Sequence, residues 1–125
     1  MKIIRPRGME PAGHYVPATL SHGVLRVSGQ LPIDPATGRL VEGDIRQQLR
    51  QALRNLDAIL KEAGCTRENV LECRVYVPDI RYWAEANEEY AAYFGAHRPA
   101  RVIVPCGALH YGALSEIEAV AEVEE

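Results

Sequence analysis

Residues 44–64 read DIRQQLRQALRNLDAILKEAG and predict the longest helix of the chain. Asp44 is a good N-cap, and Gln47 three residues later completes a capping box. Gly64 is a natural C-terminal stop. Between these ends the apolar residues recur at helical spacing, so the helix carries one apolar stripe that must pack on a flat surface, which we expect to be a sheet. The stripe consists of Ile45, Leu49, Ala52, Leu53, Leu56, Ile59, Leu60 and Ala63.

The residues after this helix predict a strand and a second helix. Residues 70–77 alternate in polarity, as a half-buried strand does. Asp79 then caps a helix that runs to about Phe94 and is stopped by Gly95. Asn87 lies on the apolar stripe of this helix, and because a buried amide needs partners we expect it to tie a loop or strand end to the helix. The inward face of the strand is predicted as Leu71, Cys73, Val75 and Val77, and the stripe of the helix as Ile80, Trp83, Ala84, Asn87, Tyr90, Ala91 and Phe94.

Further strands are predicted on either side of this central region. Residues 23–31 form a mostly apolar strand that contains Gly29, and a glycine inside a strand often marks a bulge or a close approach. Turn formers follow, so the chain reverses into a short strand at residues 40–41. The last third contains two more strands, at about 101–106 and 113–122.

The resulting order is strand, strand, helix, strand, helix, strand, strand, which predicts an α+β domain with a mixed sheet. Two helices on one face of the sheet would bury their apolar stripes but leave the opposite face uncovered. A half-covered sheet of this size is an association surface. We therefore expect an oligomer of closed symmetry.

Composition narrows the class of protein. The chain has 125 residues, 47% of them hydrophobic, which fits one globular domain at residues 1–125. No apolar run approaches the roughly 20 residues that span a bilayer, and residues 1–7 lack a signal-peptide core, so a cytoplasmic location is expected. The net charge of −3 and the scattered Lys and Arg residues argue against nucleic-acid binding.

The cysteines and histidines provide no sign of a metal site. Cys65, Cys73 and Cys106 are odd in number and have no C-x-x-C spacing, so buried, reduced thiols are expected. The histidines show no ligand spacing with each other or with a carboxylate pair. Cys106 close to Arg101 could be a nucleophile, but an inert, partly buried thiol is the more common case.

Arg101 at the start of one C-terminal strand and Glu116 at the start of the other are the residues most suggestive of chemistry. A guanidinium held by a sheet can bind a small carboxylate through two parallel hydrogen bonds, and a glutamate can handle a proton or a water. The residues alone favour a structural ion pair between them, because most ion pairs do no chemistry. Glu118 and Glu122 share the alternation of Glu116, so a solvated face could explain all three.

A series of short segments along nearly the whole chain resembles one known family. In order they are residues 28–38 (SGQLPIDPATG), 43–45 with Gln48, 55–56, 63–64, 75–79 (VYVPD), Asn87, Tyr90, Phe94, 99–101 (PAR) and 116–119 (EIEA). Their order and spacing resemble the RidA/YjgF family of reactive-intermediate deaminases, which older descriptions call endoribonuclease L-PSP or translation-initiation inhibitor.

The resemblance implies a fold and a reaction. The fold is a chorismate-mutase-like α+β domain that forms a homotrimer, with a central barrel of sheets and three clefts between subunits. The reaction is the hydrolysis of reactive enamines and imines, such as 2-aminoacrylate and 2-iminopropanoate, to a 2-keto acid and ammonia. It needs no metal or organic cofactor.

Residue by residue, the resemblance also implies a site. Arg101 matches the arginine that grips the substrate carboxylate, and Glu116 matches the glutamate that positions or activates the water. Tyr15 matches the tyrosine that closes the cleft, and Ser28 a serine near the substrate. A backbone amide or carbonyl near Ile103 completes the pocket.

The sequence departs from the family pattern at residues that should border the cleft: His14, Val16, His110 and Ser115. His110 replaces a proline beside Tyr111 and could be an added acid or base, although a solvent-facing loop histidine is more common. The departures leave the physiological substrate open.

Two other functions remain compatible with the residues. A binder of small carboxylates could keep the arginine grip and signal by occupancy without any chemistry. A ribonuclease is the function that the older family description implies, but the acidic pI near 5.8 and the lack of a basic patch speak against it.

Overall fold

A computed structural model describes residues 1–124 as a mixed sheet packed against two helices. The helices are α1 (Ile45–Glu62) and α2 (Trp83–Phe94). The strands are β1 (Lys2–Ile4), β2 (Ala18–Ser21), β3 (Val24–Gln30), β4 (Ile33–Asp34), β5 (Arg39–Leu40), β6 (Val70–Val77), β7 (Ala100–Pro105) and β8 (Glu116–Glu122).

Six of these strands form the main sheet, in the order β1-β2-β3-β8-β6-β7. Neighbouring strands are antiparallel except β6 and β7, which are parallel and are joined through α2. Strands β4 and β5 form a separate two-stranded ribbon. The chain reverses at the predicted turn, but the predicted pairing of residues 23–31 with residues 40–41 is wrong, because β3 pairs with β2 and β8 and the partner of β5 is β4. Because β7 is the last strand of the sheet, one of its sides has no strand partner within the described residues.

Helix α1 begins and ends where its sequence predicts. The Asp44 side chain accepts a hydrogen bond from the Gln47 backbone, and the Gln47 side chain accepts one from the Asp44 backbone at 2.9 Å. Gly64 follows the helix with a φ of +83°, in the left-handed region that favours glycine. The predicted apolar stripe is buried against the sheet, so the capping box and the stripe are confirmed together.

Two β-bulges alter the pattern of the strands. In β3 the register with β8 shifts between Val27 and Gln30, so Gly29 lies at a bulge, as one of the two predicted alternatives had it. In β6 the register with β8 shifts between Val70 and Glu72. The predicted inward orientation of Leu71 is therefore wrong: the residue lies at this irregularity and is 47% exposed.

The second helix differs more from its prediction. Asp79 caps a short 3₁₀ turn at Ile80–Tyr82, and α2 itself begins at Trp83. The change of helix type rotates the buried face, so Ile80 is 61% exposed and Trp83 is 38% exposed. The predicted stripe is right at Tyr90 and Phe94, which are buried, and wrong at Ala84 and Ala91, which are exposed. It also missed the buried Ala86.

The N-terminal strands β1 and β2 were not predicted. Strand β1 has only three residues. The signal for β2 was present, since Ala18 and Leu20 are buried, alternate with polar residues and precede a tight turn at His22 and Gly23.

One face of the main sheet packs on the helices, and residues 1–124 supply no layer that covers the other face. The core joins Leu49, Leu56 and Ile59 of α1 to residues such as Leu25 and Ile117 of the sheet. The opposite face mixes charged side chains with apolar ones, and Val102 and Val104 are 48% and 37% exposed. None of the helices within residues 1–124 has the length and apolar character to cross a membrane.

Candidate functional site

Arg101 lies at the start of the edge strand β7, on the sheet face that the helices cover. Its partner on β6 is the buried Cys73, and its side chain meets α2. Nη1 of Arg101 donates a hydrogen bond of 2.7 Å to Oδ1 of Asn87, which confirms that Asn87 ties a strand end to the helix. Asn87 is the one hydrogen-bond partner of the Arg101 guanidinium among residues 1–124. Because a guanidinium has five N–H donors, most of them remain available to a ligand.

Two aromatic rings of α2 hold the guanidinium in place. The Cζ atom of Arg101 lies 4.9 Å from the ring centroid of Tyr90 and 5.6 Å from that of Trp83. Cation–π contacts at these distances restrict the guanidinium without using its hydrogen bonds. A groove of about 490 Å³ opens beside it, lined by Asn87, Tyr90, Ala91, Phe94, Gly95, His97, Arg98, Pro99 and Arg101. The arrangement suits an anion with planar, bidentate geometry.

The Tyr90 hydroxyl lies beneath this arginine, next to the Cys73 thiol. Its oxygen is fully buried. Burial raises the pKa of Tyr90, and the neighbouring Cys73 raises it further, while the charge of Arg101 lowers it. Burial likewise raises the pKa of the Cys73 thiol to about 11, so this thiol stays protonated at neutral pH. The two groups beneath Arg101, the Tyr90 hydroxyl and the Cys73 thiol, are therefore uncharged. They do not neutralise the positive charge of the guanidinium.

Glu116 begins strand β8 on the opposite, uncovered face of the sheet. Its partner on β6 is Tyr76, which shares that face. The carboxylate lies against the bulge of β3, where a Cβ atom on Gly29 would overlap Oε2 of Glu116. The absence of a side chain at residue 29 thus lets the carboxylate approach the backbone. Both predicted meanings of this glycine, a bulge and a close approach, are confirmed.

The environment of Glu116 favours its neutral form. Burial raises the pKa of this carboxyl, the charge of Glu118 raises it further, and His110 opposes them. A carboxyl whose pKa is shifted upward towards neutrality is suited to exchange protons with a bound water.

Glu118 does not share this environment, although the alternation of β8 places it on the same face. Its Oε1 atom accepts a hydrogen bond of 2.6 Å from the Tyr76 hydroxyl and lies 3.9 Å from Nη1 of Arg74. Glu118 is therefore engaged in a structural network. This separates it from Glu116, which has no hydrogen-bond donor among the described side chains.

Tyr15 and Ser28 lie on the same side of the molecule as Glu116. Tyr15 is 50% exposed and lines a pocket of about 200 Å³ together with Gly29, His110 and Tyr111. The Ser28 hydroxyl donates a hydrogen bond of 2.7 Å to the carbonyl of Val16, the residue after Tyr15. Ser28 therefore holds the Tyr15 segment, and its oxygen lone pairs remain free to accept.

Ile103 lies two residues after Arg101 on the edge strand β7. Its side chain is partly buried against the core, opposite Val75 of β6. The side chain thus has a packing role, and only the backbone of the strand is placed for hydrogen bonding to a ligand at the edge of the sheet.

Buried amides of α1 hold the segments that surround the Tyr15 pocket. Asn55 donates to the carbonyls of Leu31 at 3.2 Å and Ile33 at 2.8 Å, and all three residues line the pocket. Gln48 accepts from the Leu114 backbone at 2.8 Å, two residues before Glu116. The sequence reasoning gave these two amides no role. Their place on a stripe of otherwise apolar residues was the available signal.

The structure divides the predicted site residues into two groups. Tyr15, Ser28 and Glu116 form one group, and Arg101 forms the other with Asn87, on the opposite face of the sheet. The residues alone favoured an ion pair between Arg101 and Glu116, and this prediction is wrong. The Arg101 guanidinium donates to Asn87, whereas the Glu116 carboxylate packs against the backbone of Gly29. Within one chain the two groups cannot bind the same small molecule.

The thiols and histidines add little to either group. Cys65 and Cys73 are buried and unpaired, as predicted, whereas Cys106 is exposed and the prediction of partial burial is wrong. Its strand ends one residue earlier, at Pro105, which leaves the thiol in a loop. Within residues 1–124, no cluster of three or more His, Cys, Asp or Glu side chains has an arrangement that could hold a metal ion.

Comparison with known proteins assigns the chain to a family. The family model described as Endoribonuclease L-PSP matches residues 6–123. The chain belongs to the RidA/YjgF family. A RutC family protein of Pyrococcus horikoshii is 45% identical to this chain over 122 residues. The match covers 98% of this chain and 97% of that protein.

Two further RidA/YjgF relatives have informative names. The 2-iminobutanoate/2-iminopropanoate deaminase of Rattus norvegicus is 42% identical over 109 residues, which are 87% of this chain and 80% of that protein. The crystal structure of E. coli TdcF with bound serine superimposes with a TM-score of 0.92 at 31% identity, and it covers 99% of this chain and 100% of the other. The predicted family and the predicted fold of two helices on a mixed sheet are both confirmed.

Proposed function

We propose that this chain hydrolyses small 2-imino carboxylates of the 2-iminopropanoate type, and their enamine tautomers, to a 2-keto acid and ammonia. The observation that carries the proposal is the guanidinium of Arg101, which Asn87 and two aromatic rings hold in place while most of its donors stay free. The deaminase name of the rat relative and the amino acid bound to TdcF support the same substrate class.

The proposed hydrolysis requires only a few groups from the protein. Water adds to the electrophilic imine carbon, so that a carbon–oxygen bond forms and the nitrogen takes up a proton. The hydroxyl proton of this intermediate then passes to the nitrogen as the carbon–nitrogen bond breaks, so that ammonia leaves and the carbonyl of the 2-keto acid forms. Gripping the carboxylate and placing the water are sufficient for catalysis, so the reaction proceeds without a cofactor.

The proposed site joins two chains of a homotrimer. Arg101 of one chain, with the β7 backbone near Ile103, binds the carboxylate. Glu116 of the neighbouring chain directs the water, Tyr15 closes the cleft and Ser28 supports it. The opposite placement of Arg101 and Glu116 in one chain favours this arrangement, and the uncovered sheet face supplies a surface for association.

The test measures keto-acid release from an imine generated in situ by an amino-acid oxidase, with catalase present to remove peroxide. Wild type should release the keto acid faster than spontaneous hydrolysis does. Arg101→Ala should abolish the acceleration, and Arg101→Lys should restore little of it, because lysine lacks the bidentate fork. Arg54→Ala, which removes an exposed arginine of α1 that lies outside this groove, is the matched control and should stay active.

Other outcomes would favour the alternative functions. If wild type and Arg101→Ala release the keto acid at the same rate while wild type alone binds 2-keto acids, the chain is a carboxylate-binding protein. Cleavage of single-stranded RNA that disappears with Arg101→Ala would support the ribonuclease that the family description names.

A further inference from the structure

The loop that follows β7 carries a stacked pair of rings at the rim of the Tyr15 pocket. The rings of His110 and Tyr111 lie 3.7 Å apart between centroids, with an interplanar angle of 17°. Tyr111 has a φ of +61° and a ψ of +14°, which is the left-handed region. A bulky residue is strained in that region. The residue is 55% exposed, so packing within the described residues does not account for the strain.

The strained conformation orders an aromatic wall of the pocket. Tyr15, His110 and Tyr111 all line it, and apolar residues such as Met9 and Leu31 share the rest of the lining with the polar Gln30 and Asn55. Its volume of about 200 Å³ exceeds the space that a methyl group needs. An apolar protein cavity of about 150 Å³ holds a benzene molecule, so the pocket has room for an aromatic ring.

The pocket adjoins the carboxyl of Glu116. Gly29 lies in the pocket lining and in direct contact with the Glu116 carboxylate, and His110 influences the charge of the same group. An imine carbon has three substituents: the nitrogen, the carboxylate and the side chain. If Glu116 directs water to this carbon and an arginine of the neighbouring chain holds the carboxylate, the side chain is the substituent left to enter the pocket.

We propose that, among the 2-imino acids that the chain hydrolyses, it prefers those with a large apolar side chain, best an aromatic one, and that His110 and Tyr111 select them. The inference rests on the proposed function and deepens it. Aromatic rings in offset or edge-on contact gain more than their buried area alone supplies, so a phenyl side chain should be preferred to a methyl group.

The experiment compares the imines of phenylalanine and alanine, each generated by the same amino-acid oxidase. We expect kcat/KM to be at least about tenfold higher for the phenylalanine imine, which is the discrimination that a pocket of this kind provides. Equal values, or a preference for the alanine imine, would overturn the inference and leave the proposed function standing. Acceleration of neither imine would overturn both.

Two substitutions test whether the stacked rings of His110 and Tyr111 cause this preference. Tyr111→Asn removes the ring and keeps a residue that tolerates the left-handed conformation. It should lower kcat/KM for the phenylalanine imine by about tenfold and change that for the alanine imine by less than about threefold. His110→Asn leaves the backbone of Tyr111 unaltered and should shift the ratio in the same direction. An equal loss on both imines in both variants would contradict a selective role.

A control of the same type lies far from the pocket. His22, in the turn between β2 and β3, is exposed and also has a left-handed backbone, with a φ of +51°. His22→Asn should leave both rates and their ratio as in wild type. Melting temperatures of all three variants establish that they are folded, and a changed ratio in His22→Asn would remove the assignment to the pocket.

Discussion

At the scale of single residues, the two groups most relevant to chemistry owe their properties to the residues beside them. Arg101 keeps its charge available because its neighbours are an amide, two aromatic rings and a protonated thiol. Glu116 is shifted towards its neutral form because it is buried beside another carboxylate. The sequence singles out Arg101 and Glu116 as candidate site residues. Their separation onto opposite faces could not be predicted, because it depends on the register of β6 with two different strands.

The raised pKa of Glu116 has a consequence for stability. Burial raises the folded-state pKa above the ordinary value of 4.5, so the folded protein holds this proton to higher pH than the unfolded chain does. Stability contributed by Glu116 is therefore lost as the pH rises through the range that begins near 4.5 and ends at the raised pKa. Glu116→Gln should gain stability relative to wild type across that range and keep a constant difference above it.

Urea unfolding at a series of pH values from 4 upward measures this difference. Glu122→Gln, an exposed position on the same strand, controls for the loss of one negative charge. If Glu116→Gln and Glu122→Gln change the free energy of unfolding by the same amount at every pH, burial does not disfavour the Glu116 carboxylate in solution.

At the scale of elements, local signals were sufficient where one element depends on its own residues. The capping box and apolar stripe of α1 predicted that helix nearly to the residue. The 3₁₀ turn before α2 and the bulge at Leu71 were missed, because each arises from the packing of one element on another. Strand β1 is too short to give a periodic signal, and it forms by pairing with β2.

The buried amides of α1 show how one element shapes the candidate site. Asn55→Ala would leave the carbonyls of Leu31 and Ile33 without their donor in a buried setting. The free energy of unfolding should fall by about 2 kcal/mol, the cost of unpaired buried polar groups. Hydrolysis should fall as well, because the pocket lining between these carbonyls loses its anchor.

Urea titration together with the imine assay tests this role of Asn55. Arg54→Ala, one residue earlier on the exposed side of α1, is the control for introducing alanine into the helix. A loss of stability in Asn55→Ala no greater than in Arg54→Ala would show that the amide does not anchor the segment.

At the scale of the whole molecule, the arrangement of the sheet determines how a site can be assembled. The helices cover one face and hold Arg101 on that side, while Glu116 belongs to the other face, next to Gly29 of the Tyr15 pocket. The uncovered face was predicted from the order of elements, since two helices can cover only one face of such a sheet. The number of chains needed to complete a site was beyond that argument, because it depends on side chains at both edges of the sheet.

A site shared between chains predicts complementation between two inactive variants. Arg101→Ala and Glu116→Ala should each be inactive in the imine assay. When equal amounts are unfolded together and refolded, a site draws its arginine from one chain and its glutamate from another. Each has an even chance of being intact, so about a quarter of the sites in a closed ring should recover activity.

If both residues served a site within one chain, every site would retain one defect and the mixture would stay inactive. Refolding each variant alone is the control, and mixing the folded proteins without unfolding measures how readily the chains exchange.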